Sequence, residues 1–390
     1  MALDGKRNIS RPNRQPSKRR FKLFETGKMD ITFFTLVVIL LTIGLIMLFS
    51  ASYVYAYTYY GNSYHFITRQ AVFALAGLVI MYFVSRIDYH IYRKAAWPLY
   101  VLSVLLLIIV LILPPTVGDF HRWIVVGPIN FQPSEIAKFA IVLLFAHLIS
   151  KNYDQMKKFT FGILFLGILL LIVCGLVVVE THLSATLLIG MMGVVLMIVG
   201  GIKLKYVGIA AIAGIGLGIL AIVTGIVDYG SDRITYWLHP EQDPMGLGFQ
   251  TLQSLYAIGS GGFWGRGLGN SIQKFLWVPE PQNDFIFAIV CEEVGFIGAL
   301  LIVILFVLLV WRGFVIAMRA PDKFGTLMAV GLTFQVGLQA ALNILVVTNT
   351  IPNTGISLPF FSYGGTALLM LLAEMGVVLS ISRKCNLEKR

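Results

Sequence analysis

The sequence predicts an all-α, polytopic integral membrane protein with about ten transmembrane helices and a large extracytoplasmic loop between the seventh and eighth. Three observations carry that expectation. Of 390 residues, 57% are hydrophobic and only 13% charged, a balance foreign to soluble globular chains. Apolar runs recur along nearly the whole chain, many of them long enough for a hydrocarbon layer that needs about 20 residues. The alternating ten-residue segments of a barrel are missing, and lipid then leaves only helices to pair the backbone polar groups.

The runs follow in order. A tail over 1–29, basic and rich in Arg, Asn, Pro and Ser, reads as disordered and precedes the first run, 31–54. That run is too long for the core of a cleaved signal peptide and lacks a small-residue cleavage site. Runs 68–85 and 95–114 are separated by Arg86, Arg93 and Lys94. The fourth, 134–150, has Pro133 suited to a first helical turn, with Gln132 or Ser134 as candidate caps. Lys151, Lys157 and Lys158 come next, then 160–179 and 183–201, joined by a tight hairpin. Lys203 and Lys205 stand at the start of the seventh run, 204–226. The eighth, 284–311, is approached through Pro279 and Pro281, and Arg312, Arg319 and Lys323 divide it from the ninth, 325–348. Run 363–382 closes the series, with a short tail over 385–390.

With a cytoplasmic N-terminus, all but six of the 30 Lys and Arg residues fall on inner segments. Such alternation places both termini in the cytoplasm. The net charge of +11 then faces the anionic inner leaflet and calls for no nucleic acid. The six exceptions are Arg69, Arg122, Lys138, Arg233, Arg266 and Lys274. Cys174, Cys291 and Cys385 form no disulfide framework.

Three outer segments exceed tight-turn length: 115–133, the loop 227–283, and 349–362. Long structured loops are usually functional. Gln250, Gln253 and Ser254 lead into a glycine-rich stretch where Arg266 and Lys274 suggest a phosphate cradle, unless those glycines serve only tight turns. In "VPEPQNDF", Glu280, Asn283 and Asp284 cluster at a helix start. Asp284 either caps that helix or handles a proton, since a carboxylate beside lipid loses hydration and gains proton affinity. Ala288 and Cys291 form a strip of small residues beneath it that would admit an isoprenoid tail or pack a helix. Glu135 and Lys138 are i, i+3 neighbours suited to pairing, with Glu180 a further candidate partner for Lys138. His182 reads as a hairpin residue rather than a metal ligand. Thr354, Ser362 and Tyr363 bring hydroxyls to a Pro- and Gly-broken segment that must line a cavity or be buried. Glu374 is an intramembrane acid, functional or paired.

Four stretches in order, "RWIVVGPINFQPSEIAKF", "QSLYAIGSGGFWGRGLGNSIQKF", "PEPQNDFIFAIVCEEVGFIG" and "IPNTGISLPFFSYGG", resemble the SEDS proteins (shape, elongation, division and sporulation). The FtsW and SpoVE branch is more similar than RodA. The resemblance covers the chain beyond its basic tail. It implies ten membrane helices and peptidoglycan glycosyltransferase activity outside the bacterial cytoplasmic membrane, polymerising lipid II for cell division or sporulation. Its implied partners are lipid II, the undecaprenyl-diphosphate-linked glycan and a class B penicillin-binding protein acting as transpeptidase. Asp284 matches the family's essential acid. Arg122, Trp123, Glu135 and Lys138 match the first outer motif, and Pro352, Thr354, Gly355, Pro359, Ser362 and Tyr363 the last. Relatives carry Pro-Asp-Leu-Gly-Thr where this chain reads "ETHLSAT"; His182 replaces their Asp, leaving Glu180 to substitute as the partner of Lys138.

The mechanism so implied is an inverting transfer with Asp284 as base. Arg233, Arg266, Lys274 or a divalent cation (Mg or Mn) would neutralise the departing diphosphate, with Gln253, Ser254 and Glu280 on the substrate-binding rim. A lipid II flippase is the alternative, and would require a charged path across the membrane; a scaffold for the transpeptidase is a third class.

Overall fold

The structure is a computed structural model that describes residues 27–114, 122–126, 129–206, 208, 235–246 and 248–385. Its described helices are α1 (Ile31–Tyr60), α2 (His65–Val84), α3 (Tyr92–Ile112), α4 (Pro133–Lys151), α5 (Leu166–Val179, entered through a π-helical turn, Thr160–Phe165), α6 (Leu183–Val199), α7 (Phe249–Gly261), α8 (Ile286–Met318), α9 (Lys323–Val347) and α10 (Gly365–Ser382). A two-stranded hairpin, β1 (Ile124–Val126) and β2 (Ile129–Phe131), pairs antiparallel before α4. Among the described residues, eight helical stretches are long and apolar enough to cross a membrane, and α6 is a shorter apolar helix. The fold is that of an all-α, multi-pass membrane protein. The expected basic tail, apart from its last residues, and the expected run 204–226, apart from its start, lie outside the described residues.

Two helices outrun their expected ends. α1 continues to Tyr60 and α8 to Met318, because tyrosines and a Trp–Arg pair continue a helix as readily as aliphatic residues do. The loop 227–283 contains α7, which packs on α8. Its polar Gln250, Gln253 and Ser254 and the glycines that follow had masked thirteen helical residues. Pro133 does open α4, but neither Gln132 nor Ser134 provides a side-chain cap.

Charged residues at one end of the bundle fasten the helices. Asp30 caps α1 by accepting from the Phe33 N–H at 2.9 Å, and pairs with Arg312 of α8 at 2.8 Å. Lys384 reaches Asp88 at 2.7 Å. Asp322 accepts from the Tyr89 hydroxyl at 2.5 Å and pairs with Arg93. All these residues come from segments that the charge pattern groups on one side. Asp284 lies at the opposite end of α8. Toward the Asp284 end, a cavity of about 40 Å³ has Glu135, Gln335, Gln339, Ser357, Ser362 and Tyr363 among its otherwise apolar lining. Beside it Gln335 donates to the buried Glu374 at 2.9 Å, so that acid is hydrogen-bonded within the core.

α8 is broken at Gly295, where φ is 67° and ψ −173°. That region is open in practice to glycine alone. A break inside an apolar helix frees backbone groups that must find partners. The glycine-rich loop supplies them. Arg266 N–H donates to the Glu292 carbonyl at 2.9 Å and Gly267 N–H to that of Glu293 at 3.0 Å. Phe296 and Ile297 N–H groups donate in return to Gly262 and Phe263. The loop glycines therefore serve a backbone splice, and the short half-helix ahead of the splice carries Asp284 at its start. A Cβ on Gly295 would stand 2.2 Å from the Gly265 nitrogen. Gly295→Ala is expected to cost about 3 kcal/mol or more, read as a lower thermal unfolding midpoint in detergent.

Candidate functional site

Asp284 is half-buried in the turn that enters α8. Its side chain does not cap: the residue at the cap position is Phe285, with no side-chain cap bond. The capping reading is thereby corrected. Polar atoms are instead gathered to hold the backbone of Asp284 still. Asn343 of α9 donates from Nδ2 to the Asp284 carbonyl at 2.7 Å and to the Ile356 carbonyl at 2.6 Å. Ser362 donates to the Asn283 carbonyl at 2.7 Å while accepting from the Leu358 N–H. Tyr363 N–H donates to the Gln282 carbonyl at 2.8 Å. The Pro–Gly segment 352–363 is thus sewn to the Asp284 turn. A Cβ on Gly355, whose φ is +69°, would lie 3.2 Å from Oδ2 of Asp284. Glycine gives the carboxylate its berth.

Burial pushes the Asp284 pKa up to about 6; the Glu280 carboxylate adds to the rise and Arg122 opposes it. Glu280 is exposed and accepts from Asn283 Nδ2 at 2.8 Å. An acid so placed can change protonation state near neutral pH, as a general base requires.

Arg122 bridges to the α5–α6 hairpin, donating from Nε to the Glu180 carbonyl at 3.4 Å and also to the Thr181 carbonyl. Trp123 stands half-buried beside it. Lys138 pairs with Glu135 at 2.9 Å, one turn along α4. Glu180 does not take over as the partner of Lys138: its Oε1 is buried without a hydrogen bond, and burial pushes its pKa up to about 8 against the pull of Arg122. His182 is pushed down to about 3 by burial, Arg122 and Lys138, in that order. Burial favours the uncharged form of both, and the net positive charge of this corner rests on Arg122, because Lys138 is offset by Glu135.

Other expected site residues have different tasks. Lys274 is fully buried and paired with Glu293 at 2.8 Å, with Ser50 Oγ also donating to that carboxylate at 2.7 Å. The Arg266 Nε lies 3.7 Å from Glu292 and donates to the Ser260 carbonyl. Glu292 also accepts from Ser271 Oγ at 2.5 Å and from the Ile272 and Gln273 N–H groups. The proposed phosphate cradle is corrected accordingly: two buried glutamates of α8 engage its cations and pin the loop. Ser254 is buried and donates to the Val347 carbonyl, while Gln253 is half-buried on α7 and neighbouring Gln250 accepts from Asn353 at 3.2 Å. Thr354 keeps a buried hydroxyl without a partner. Ala288 and Cys291 are buried, and the Gly261 Cα lies against the Cys291 backbone, so that end of the small strip packs α7. Arg233 lies outside the described residues. Among those described, no cluster of three or more His, Cys, Asp or Glu side chains could hold a metal ion.

Asn343 and Gln70 were not singled out from sequence. Gln70, buried in α2, donates to the Ser362 carbonyl and accepts from the Gly364 N–H. The signal for Asn343 was its spacing: Gln335, Gln339 and Asn343 repeat every four residues inside an apolar run, one face of a helix.

The apolar helical bundle thus carries at one end an acid raised toward neutrality, Asp284, within the field of Arg122 and with its backbone held by a side-chain amide. The chain belongs to the FtsW/RodA/SpoVE family, whose model, described as "Cell cycle protein", matches residues 31–387. It is 41% identical over 364 residues to stage V sporulation protein E of Bacillus subtilis, covering 91% of this chain and 97% of that one. It is 38% identical to a probable peptidoglycan glycosyltransferase FtsW of Trichlorobacter lovleyi, over 93% and 95% of the two chains. Among solved structures it resembles, at 26% identity and a TM-score of 0.77, a chain in a study of "polymerization and crosslinking by a peptidoglycan synthase complex", covering 92% of this chain and 99% of that one. The rod shape determining protein RodA of Thermus thermophilus matches with a TM-score of 0.68 at 26% identity, over 92% and 98% of the chains.

Proposed function

We propose that this protein is a peptidoglycan glycosyltransferase that polymerises lipid II at the outer face of the cytoplasmic membrane, for division or sporulation, with both termini in the cytoplasm. The single observation that carries the reading is Asp284: an acid raised to about 6, at the end of the bundle opposite the Asp30–Arg312 pair, against Gly355 and within the field of Arg122. The 4-hydroxyl of the acceptor sugar gives its proton to Asp284. Its oxygen attacks the anomeric carbon of the lipid-linked strand, the bond from that carbon to the diphosphate oxygen breaks, and undecaprenyl diphosphate departs with the electron pair. Asp284 then releases its proton to water. Arg122 is the cation best placed to meet the departing charge. Among the described residues no three His, Cys, Asp or Glu side chains group to hold a metal ion; a divalent cation such as Mg or Mn would be carried chiefly by the diphosphate oxygens, and no step is routed through it. The similarity to a chain of a peptidoglycan synthase complex supports a class B penicillin-binding protein as partner.

A base acts as its carboxylate, so the pH dependence has a fixed sign. The rate is expected to be level above about pH 7 and to fall about tenfold per unit below the Asp284 pKa of about 6. Purified protein, with and without a class B penicillin-binding protein, is incubated with lipid II. Glycan strands are the expected product. Scrambling of labelled lipid II across vesicles, with no strand made, would establish the flippase instead.

A further inference from the structure

We propose that the tyrosine-rich far end of α1, together with the turn into α2, is a stacking platform for the sugar rings of the glycan strand as it leaves the Asp284 site. The platform deepens the glycosyltransferase reading and rests on it.

Length sets this end apart from the membrane. α1 has 30 residues, about 45 Å of helix, against a hydrocarbon core of about 30 Å. It starts at the Asp30–Arg312 pair, which marks the cytoplasmic boundary. Its last ten residues, about 15 Å, therefore stand beyond the hydrocarbon. Interfacial tyrosine belts sit at headgroup level, which accounts for Tyr53 and leaves the final turn unexplained. There Tyr57, Tyr59 and Tyr60 are 67%, 63% and 54% exposed.

The rings form a connected group. Gly61 ends α1 with φ 68°, and the chain turns back so that His65 stacks on Tyr60 at 4.0 Å. Tyr59 packs on Tyr55 at 4.4 Å. Phe66 touches Tyr55, Tyr60 and, edge to face at 4.8 Å, Tyr363. Tyr363 is the residue whose N–H is bonded to the Asp284 turn. The exposed tip is thus tied to the reacting end through Phe66, which is buried beneath the tyrosines.

Its chemistry selects the occupant. From Ser50 to Thr68 there is no Asp, Glu, Lys or Arg, and the charges whose field reaches Tyr55 and His65, those of Glu280 and Arg69, are of opposite sign. Anionic headgroups need cations, and protein interfaces carry a polar rim around their aromatic cores. A saccharide presents flat C–H faces ringed by hydroxyls, which ring faces and phenol edges match.

Two measurements on the full-length protein test this. In polymerisation of lipid II, Tyr59→Ala with Tyr60→Ala is expected to leave the initial rate within about twofold and to shorten the mean strand by about threefold or more, while the paired Phe variants keep wild-type length. In the second, the soluble β-1,4-linked N-acetylglucosamine tetramer is titrated into Asp284→Asn protein. Binding there is expected, and is lost when the two alanines are added. Unchanged strand length with unchanged tetramer binding overturns the platform while leaving the polymerase reading intact. So does weaker association with the penicillin-binding protein at unchanged strand length. Tetramer binding lost with the alanines, in a protein that makes no strand, supports the platform and overturns only the polymerase reading.

Discussion

Asp284→Asn is expected to lower the rate of strand formation by about 100-fold or more and to leave the thermal unfolding midpoint unchanged. The asparagine fills the same berth against Gly355 and keeps the backbone carbonyl that Asn343 holds at 2.7 Å. Because no side-chain cap bond is made at the start of α8, no helix contact is lost. The substitution removes a proton acceptor and little else. A stable Asp284→Asn protein that polymerises lipid II normally would show that the carboxylate is not the base.

Lys274→Met is expected to destabilise the protein by about 3–5 kcal/mol, the cost of leaving Glu293 buried without its partner. Both side chains are fully buried and 2.8 Å apart. The double variant Lys274→Met with Glu293→Leu removes both charges together and is expected to recover most of that loss. This pair of outcomes separates two tasks for the lysine. A phosphate-binding lysine would lose activity equally in the single and double variants, whereas a strut regains it with the second substitution. Thermal unfolding and lipid II turnover, measured on the same three proteins, give the answer.

The fold class was legible in the sequence because lipid permits few solutions. Long apolar runs punctuated by Arg86, Lys151, Lys203 and Arg312 suffice to mark helices and their alternation. The site was legible in part. Asp284, Arg122, Glu135, Lys138, Ser362 and Tyr363 are brought to one end of the bundle, as their polar character inside an apolar chain suggests. The amides that hold Asp284 were harder to see. Asn343 and Gln70 look like stray polar residues until α9 and α2 are packed against the 352–363 segment. Lys274 and Arg266 misled for a physical reason: a cation beside glycines looks the same in sequence whether it faces phosphate or a buried carboxylate. Glu292 and Glu293, eighteen and nineteen residues after Lys274, could have raised the question, since two acids at the start of a membrane helix need partners. The break at Gly295 gives no signal in sequence, because helical membrane runs contain many glycines.

The central claim is that a carboxylate made less acidic by its surroundings takes the sugar proton. Single-turnover rates measured from pH 4.5 to about 8 for the wild type and for Glu280→Gln test it most directly. Burial and the Glu280 charge both raise Asp284, in that order, so deleting the Glu280 charge must move the inflection to lower pH while the plateau stays level. That downward shift is the predicted result. An inflection that stays in place, or a profile with none, would contradict the assignment.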